Sequence, residues 1–213
     1  MVILYAADLE KLPDPARQPE LLQLLSQDRI QRIVSCKIER NRKQLAGAGL
    51  LLEHALQQQG IRSRNLTYGS NGKPELEGIC FNLSHSQSVA ICAVSSNAVG
   101  CDIEFLRPMR SDIARRFFTG EECAYLNSFQ GANREAEIFR MWTLKESYLK
   151  FTGEGLQLSL NRFSIHIGDP ITVSRDSCVC PCWLKEYTIP GYRVAVCAQE
   201  QDFAPEIVWV DLV

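Results

Sequence analysis

The sequence has no apolar run approaching the roughly 18 residues of a membrane-spanning helix. Its apolar opening, MVILYAA, is followed at once by Asp8 and Glu10, and no basic residue precedes it. A secretory leader has a basic start and a longer core, so the expected location is the soluble cytoplasm. There is no P-loop and no G-x-G-x-x-G, which excludes the common nucleotide-binding modes. No G-x-S-x-G elbow exists, and Ser84 and His85 are chain neighbours, a poor placement for a hydrolase pair. The C-x2-C pairing of a zinc site is also missing. The run CVCPC (Cys178, Cys180, Cys182) has one-residue spacing and no second cluster to join. The nine cysteines sit mostly in apolar runs such as VAICAV and VAVCAQ, as small buried hydrophobes with reduced thiols. A strong charge of either sign is lacking too. The formal net charge of -2 argues against a general nucleic-acid or membrane-surface role.

What is present is ordinary globular composition: 213 residues, 46% hydrophobic and 23% charged. VILYAADL reads as a strand and PELLQLLS as a short helix. A longer helix is expected from about 35 to 59, closed by Gly60. SVAICAV, the loop SSNA and VGCDIEF read as an antiparallel hairpin. After Pro108 the chain turns helical: SDIARRFF, then a helix begun by Thr119 with Glu122 three residues on as a capping box, then a long helix from about 133 to 152. The remainder reads as hairpins, FSIHI with PITVS and CWLKEYTI with YRVAVCA, and a last strand EIVWVDL. Val89–Ala93 and Val194–Ala198 echo each other, each after a long helix. Either apolar strands coincide by restricted composition, or the chain is built of two related halves. The expected fold is α+β, with similar halves 1–105 and 106–213 related by a pseudo-two-fold and the active site in the cleft between them.

The long helix raises the chemical question. FRMWTLKESYLKFTG places Glu146 between Trp142, four residues before, and Leu149, three after, on one line along the helix. The helix is apolar nearly all round, which predicts burial. A buried carboxylate must be paired, protonated or bound to a cation. Lys150, four residues on, is one candidate partner. On the strand GCDIEF, Asp102 and Glu104 share one face, and Cys101, Ile103 and Phe105 the other. Adjacent carboxylates repel unless a cation lies between them. Asp102, Glu104 and Glu146 together would make an oxygen-rich site of the kind Mg2+ prefers, completed by water and substrate phosphate. Gly100, just before, leaves room for close approach of a ligand or another backbone. Basic and polar residues suited to phosphates stand at Lys73 in GSNGKPEL, at Ser84 and His85 in FNLSHS, and at Arg40, Arg42 and Lys43 in the first long helix.

GKP, FNLSHS, GCDIE and WTLKESYLK occur in the order and approximate spacing of the 4'-phosphopantetheinyl transferases. The chain resembles the larger, two-halved type that activates surfactin synthetase and similar assembly lines. The motifs span 72–155, the hairpin CWLKEYTIPGYRVAVCA is also similar, and the first 60 residues match loosely. Cys101 departs from an aliphatic residue usual in the family. The resemblance implies transfer of the 4'-phosphopantetheine arm of coenzyme A to a serine of an acyl or peptidyl carrier protein, with release of adenosine 3',5'-bisphosphate. It implies that Asp102, Glu104 and Glu146 hold Mg2+, with Mn2+ as a substitute, and that Glu146 is the base for the serine hydroxyl, directly or through water. Lys150 would neutralise or protonate the departing phosphate. Lys73, Ser84 and His85 would bind coenzyme A, as would Lys43 and Arg40, where the match is looser. A monomer is expected, because the cleft is internal. Two other classes stay open: a carrier-binding module without catalysis, and an unrelated Mg2+-dependent phosphotransferase or nuclease.

Overall fold

VAICAV and VAVCA are apolar at every position rather than at alternate ones. A strand of that kind is buried on both faces. In the computed structural model, which describes residues 1–61, 66–69, 71–108 and 113–213, both stretches are the middle strands of their sheets. The elements in chain order are β1 (Ile3–Asp8), α1 (Gln27–Ser35), α2 (Glu39–Gln58), β2 (Thr67–Tyr68), β3 (Pro74–Glu75), β4 (Cys80–Ser86), β5 (Val89–Ser95) and β6 (Val99–Phe105). Then come α3 (Ile113–Phe117), α4 (Gly120–Leu126), α5 (Gly131–Thr152), β7 (Ser164–His166), β8 (Thr172–Arg175), β9 (Cys178–Val179), β10 (Trp183–Ile189), β11 (Tyr192–Ala198) and β12 (Val208–Trp209). One sheet has the order β12-β1-β5-β4 and another β10-β11-β6. Small sheets β2-β3 and β7-β8-β9 stand apart.

The fold is α+β and layered helix, sheet, sheet, helix. Tyr5, Ala7, Ala90 and Cys92 face Leu51, Leu52 and Ala55 of α2. On their other faces, Leu4, Ala6, Ile91 and Ala93 pack against Cys101, Ile103, Val194 and Val196 of the second sheet. The outer face of that sheet, Ala195 and Cys197, packs on Met141, Leu144 and Tyr148 of α5. Period-two alternation therefore sends each cysteine to a different layer, Cys92 toward α2, Cys101 between the sheets and Cys197 toward α5. The boundary near 105 is not a boundary between sheets. β6 belongs to the β10-β11 sheet, and β12, from the end of the chain, pairs in parallel with β1.

Two expectations are corrected. The stretch SVAICAV-SSNA-VGCDIEF is not a hydrogen-bonded hairpin. β5 pairs with β1 and β4, whereas β6 pairs with β11. Both strands carry an apolar face, and stacking those faces across two sheets buries more than placing the strands edge to edge. The helix expected from 35 to 59 is α2, which begins four residues later, at Glu39, and a separate helix that was not expected, α1, precedes it. Ser26 caps α1, accepting from Arg29 N, and Cys36 and Ile38 are extended before α2. The carbonyl freed by the break at Cys36 accepts from Arg42, which also grips Asp14. The expected helix in PELLQLLS is a single 3-10 turn, Pro19–Leu22. The capping box of Thr119 and Glu122 is present, and Gly60 (φ 71°) follows the last turn of α2.

The contact that positions α5 is at Gly100. A Cβ there would lie 2.2 Å from Phe151 N and 2.3 Å from Ser147 O. Helix backbone thus rests directly on strand backbone, the close approach that glycine permits. Gly100→Ala is expected to cost about 3 kcal/mol or more, since neither backbone can yield as a flexible side chain does. Urea unfolding would show a lower midpoint at unchanged slope. A midpoint like that of the wild type would mean that α5 shifts freely.

Candidate active site

The first sheet meets the second along β4 and β6, and side chains rather than backbone ladders join this seam. Alternate residues of β4 reach across. Asn82 Oδ1 accepts from Cys101 N at 2.9 Å, and Ser86 Oγ accepts from Phe105 N at 3.1 Å. Between them, Ser84 Oγ donates to Asp102 Oδ1 at 2.9 Å. Because α5 sits on Gly100, its residue Lys150 arrives at the same point. Lys150 Nζ donates to Asp102 Oδ1 at 2.6 Å and to Ser84 Oγ at 2.9 Å.

Asp102 is 4% exposed, and its Oδ2 is the one buried side-chain polar atom without a hydrogen-bond partner among the described residues. An orphaned carboxylate oxygen costs on the order of 1–3 kcal/mol, which points to a partner that binds there. Burial alone would lower the Lys150 pKa. Asp102, Cys101 and Glu146 outweigh it, so the ammonium is held above its ordinary value. Lys150 thus pairs with Asp102. Among the described residues Glu146 has no ion pair closer than 4.0 Å, and the helix-internal bridge from Glu146 to Lys150 does not form.

Glu104 shares the face of Asp102, as strand alternation predicts, and accepts from Ser86 Oγ at 3.5 Å. Burial, then the charge of Asp102, raises its pKa from 4.5 to about 7. Burial and Asp102 raise Glu146 as well. The three carboxylates feel one another's charge, but among the described residues no three His, Cys, Asp or Glu side chains are closed around a point as metal ligands. The chemistry of the set nevertheless fits a hard divalent cation. All donors are oxygens, one is orphaned, and burial and then the charge of Asp102 make the other two resist ionisation, which a bound cation would relieve.

The remaining expected residues separate into distinct places. Lys73 Nζ donates to Lys150 O at 2.7 Å and to Val99 O at 3.1 Å, so it ties the end of α5 to the start of β6. Burial lowers its pKa. His85, next to Ser84 but on the opposite face of β4, lines a cleft of about 260 Å3 with Arg29, Arg32, Tyr68 and Pro74. Its pKa is lowered by burial and then by Lys150. Arg40 and Lys43 line another cleft, of about 720 Å3, with Gln87, Phe105 and Tyr192.

Sequence reasoning passed over Arg29 and Arg32, which lie in α1, a helix it did not predict. The Ser26 cap three residues ahead of Arg29 was the available signal. It also passed over Lys145. That side chain is 0% exposed and donates to Glu122 Oε1 and Phe163 O, each at 2.6 Å. Glu122 also accepts from Thr119 N and Ile165 N, each at 2.8 Å, so the capping residue doubles as a buried counter-ion. Burial pulls the Lys145 pKa down to about 8, against the pull of Glu122.

Comparison with known proteins adds the following. A model of the 4'-phosphopantetheinyl transferase superfamily matches residues 98–197. The chain is 35% identical over 161 residues to 4'-phosphopantetheinyl transferase Sfp of Bacillus subtilis (strain 168), covering 74% of this chain and 72% of that one. It is 36% identical over 159 residues to 4'-phosphopantetheinyl transferase HetI of Nostoc sp., covering 67% of each. Among solved structures, a holo-(acyl-carrier-protein) synthase from Bacillus anthracis str. Ames in complex with CoA aligns with TM-score 0.42 at 17% identity, over 47% of this chain and 93% of that one.

The Glu104 shift has a testable sign. A carboxyl whose folded pKa is raised contributes fully below its unfolded pKa and loses that contribution as pH rises through the folded value, from about 4.5 to about 7. In chelator, Glu104→Gln should therefore match the wild type in urea near pH 4 and exceed it near about pH 8. An equal difference at both ends would assign the effect to packing rather than charge. The Glu122 pair gives a second expectation. Glu122→Ala should cost about 3–5 kcal/mol, because it leaves the Lys145 charge buried and unpaired. Chemical unfolding at neutral pH reads it, and a loss below about 1 kcal/mol would mean that water reaches Lys145.

Proposed function

The chain belongs to the 4'-phosphopantetheinyl transferase superfamily, and on that premise we propose how its residues divide the work. The activity is transfer of the 4'-phosphopantetheine arm of coenzyme A to a serine of a carrier protein, with release of adenosine 3',5'-bisphosphate. The observation that carries our assignment is the junction of Ser84, Asp102 and Lys150, with Asp102 Oδ2 left over.

Asp102, Glu104 and Glu146 would hold a divalent cation, Mg2+ or Mn2+. When bound, such an ion neutralises pyrophosphate charge and favours in-line displacement. Ser84 and Lys150 lie beside that point as donors for the pyrophosphate oxygens. The positive charge of Lys150 is secured by Asp102, which suits it to stabilise or protonate the departing phosphate. His85, with Arg29 and Arg32, would receive the phosphate at the nucleotide end in their shared cleft. Lys73 would hold Lys150 in place through its carbonyl while lying close enough to join the coenzyme A contacts. Glu146 is the base. Its raised pKa moves it toward the range where a carboxylate accepts a proton usefully at neutral pH. The serine oxygen bonds to phosphorus, its proton goes to Glu146 directly or through water, and the bond to the bisphosphate breaks. We also read the protein as a cytoplasmic monomer of two related halves, in keeping with its resemblance. No helix among the described residues is long and apolar enough to cross a membrane.

Chelator should abolish transfer, and Mg2+ or Mn2+ should restore it, as read by the mass shift of a carrier domain incubated with coenzyme A. Full turnover in excess chelator would sink the cation assignment. Glu146→Gln should fold normally, since the amide is nearly isosteric and relieves a half-buried charge, yet lose about 10^2–10^4-fold in single-turnover transfer. Near wild-type transfer in that variant would return Glu146 to a structural role.

A further inference from the structure

The run CVCPC plays no part in the proposed transfer, yet Cys180 and Cys182 pack against the layer formed by α5 and the outer face of β11, where Cys197 is fully buried. Leu184 of β10 pairs directly with Cys197. Cys182, two residues earlier, falls on the same face by strand alternation and lies diagonally across from Cys197. Their thiols are hydrogen-bonded, Cys197 donating to Cys182. Burial holds the thiols of Cys92, Cys101 and Cys197 above the ordinary range, whereas the bond from Cys197 lowers that of Cys182. Cys182 is also half-buried rather than enclosed. The two sides of the pair differ in freedom. β11 is held by β10 and β6. Residues 180–182 lie outside any strand, in a turn closed by Cys182 N donating to Cys180 O at 2.9 Å. In that turn Cys180 Sγ accepts from Tyr148 OH at 3.3 Å. Cys197 in turn pairs with Gly100 of β6, the glycine on which α5 rests. The thiol pair therefore sits beside the helix–strand contact that brings Lys150 to Asp102.

We propose that Cys182 is a site of reversible oxidation by hydroperoxides, with Cys197 as its resolving partner, and that the disulfide between them slows transfer by loosening α5. The effect on transfer rests on the transferase reading above; the bond itself does not. The Cys182 thiolate attacks one peroxide oxygen. The S–O bond forms, the O–O bond breaks, and hydroxide leaves to take up the proton that Cys182 released. Cys182 is thereby oxidised to a sulfenic acid and the peroxide is reduced. The Cys197 sulfur then attacks the Cys182 sulfur. The S–S bond forms, the S–O bond breaks, and the proton of the Cys197 thiol leaves with the hydroxyl as water. Two thiols and one hydrogen peroxide thus become a disulfide and two waters. A small thiol reverses the bond by attack on Cys182, the more exposed sulfur. Diagonal strand neighbours stand roughly 7–8 Å apart, about the upper limit of what a disulfide spans. Closure therefore draws the free segment inward and leaves the held strand in place. That movement takes Cys180 from the hydroxyl of Tyr148, a buried side chain that then lacks this partner. Tyr148 lies on α5 between Glu146 and Lys150, so a helix that shifts to satisfy it moves the groups that serve the site.

In the test, the full chain is reduced, freed of reductant and treated with hydrogen peroxide. Its remaining thiols are alkylated, and its mass and tryptic peptides are read. The peptide 176–185, which holds Cys178, Cys180 and Cys182, should be joined to 194–213, which holds Cys197. The double variant Cys178→Ser, Cys180→Ser should form the same link, and Cys182→Ser should not. In Cys197→Ala, Cys182 should remain a sulfenic acid that dimedone traps. A link within 176–185 overturns the assignment, as does a link to Cys197 that survives in Cys182→Ser. Oxidation of the exposed Cys178 with no link to Cys197 also overturns it. Amide exchange along α5 should quicken in the linked protein. Transfer to a carrier domain should fall about tenfold or more, return with dithiothreitol, and be indifferent to peroxide in Cys182→Ser. Unchanged exchange or full turnover in the linked wild type overturns the control of α5. Should the reduced protein fail to transfer at all, the proposed function falls, while the mass and exchange readings still decide the oxidation site and its effect on the helix.

Discussion

Everything at the site depends on a glycine that lets a helix touch a strand. With Gly100 under Ser147, Lys150 and Phe151, the backbone of α5 lies against β6 with no side chain between them. Lys150 can then reach Asp102, only two residues along the strand, at hydrogen-bond distance. Any Cβ at this point would lift the helix, and a lysine raised by an ångström no longer shares an oxygen with Ser84. The helix is fixed against rotation as well. Arg140 grips Glu186 of β10 through two bonds, at 2.8 and 2.7 Å, and Lys145 is anchored in Glu122. Three contacts on different sides of α5 leave Glu146 and Lys150 one orientation, toward the carboxylates of β6.

The seam between the sheets has a related logic. β4 and β6 do not share a backbone ladder, so their neighbouring donors and acceptors are satisfied by Asn82 and Ser86. Polar side chains at alternate positions of β4 are thus required by the seam itself, and Ser84 stands in the same row. A catalytic groove placed here needs no separate scaffold. Its walls are the residues that stitch the two sheets, and its floor is the strand that carries the carboxylates.

Much of this was legible in the chain. Asp102 and Glu104 fall on one face because a strand has period two, and the buried character of α5 follows from its apolar residues on every side. Gly100 announced a close approach, although the sequence did not say that the approaching group was the helix carrying Glu146. What was not legible depends on pairing at long range. VAICAV and VGCDIEF look like a hairpin because the loop between them is short, and only the apolar faces on both sides decide that they stack instead. The break at 36–38 has no glycine or proline to mark it, and its cost is met by Arg42 bonding to the freed carbonyl. α1 lies before the expected helix and offered only the Ser26 cap as a signal, so Arg29 and Arg32 went unseen with it. Lys145 was hidden for another reason. A lysine on a helix is normally solvated, and its partner Glu122 already had a local role as the capping-box residue.

The two lysines of α5 show how the same pair of charges serves opposite ends. Lys145 and Glu122 are 0% and 1% exposed. Glu122 is saturated, with two backbone N–H donors besides the ammonium, and Lys145 has the Phe163 carbonyl and lies 4.1 Å from the centre of the Phe163 ring. Nothing in that pair is left to give a ligand, and its worth is in holding the helix. Lys150 is 28% exposed along its side chain, and its partner Asp102 keeps one oxygen without a bond. A phosphate can therefore approach the ammonium from the open side, and a cation can take the free oxygen, without either having to break a satisfied core. Satisfaction separates the lysine that holds the structure from the lysine that is free to act.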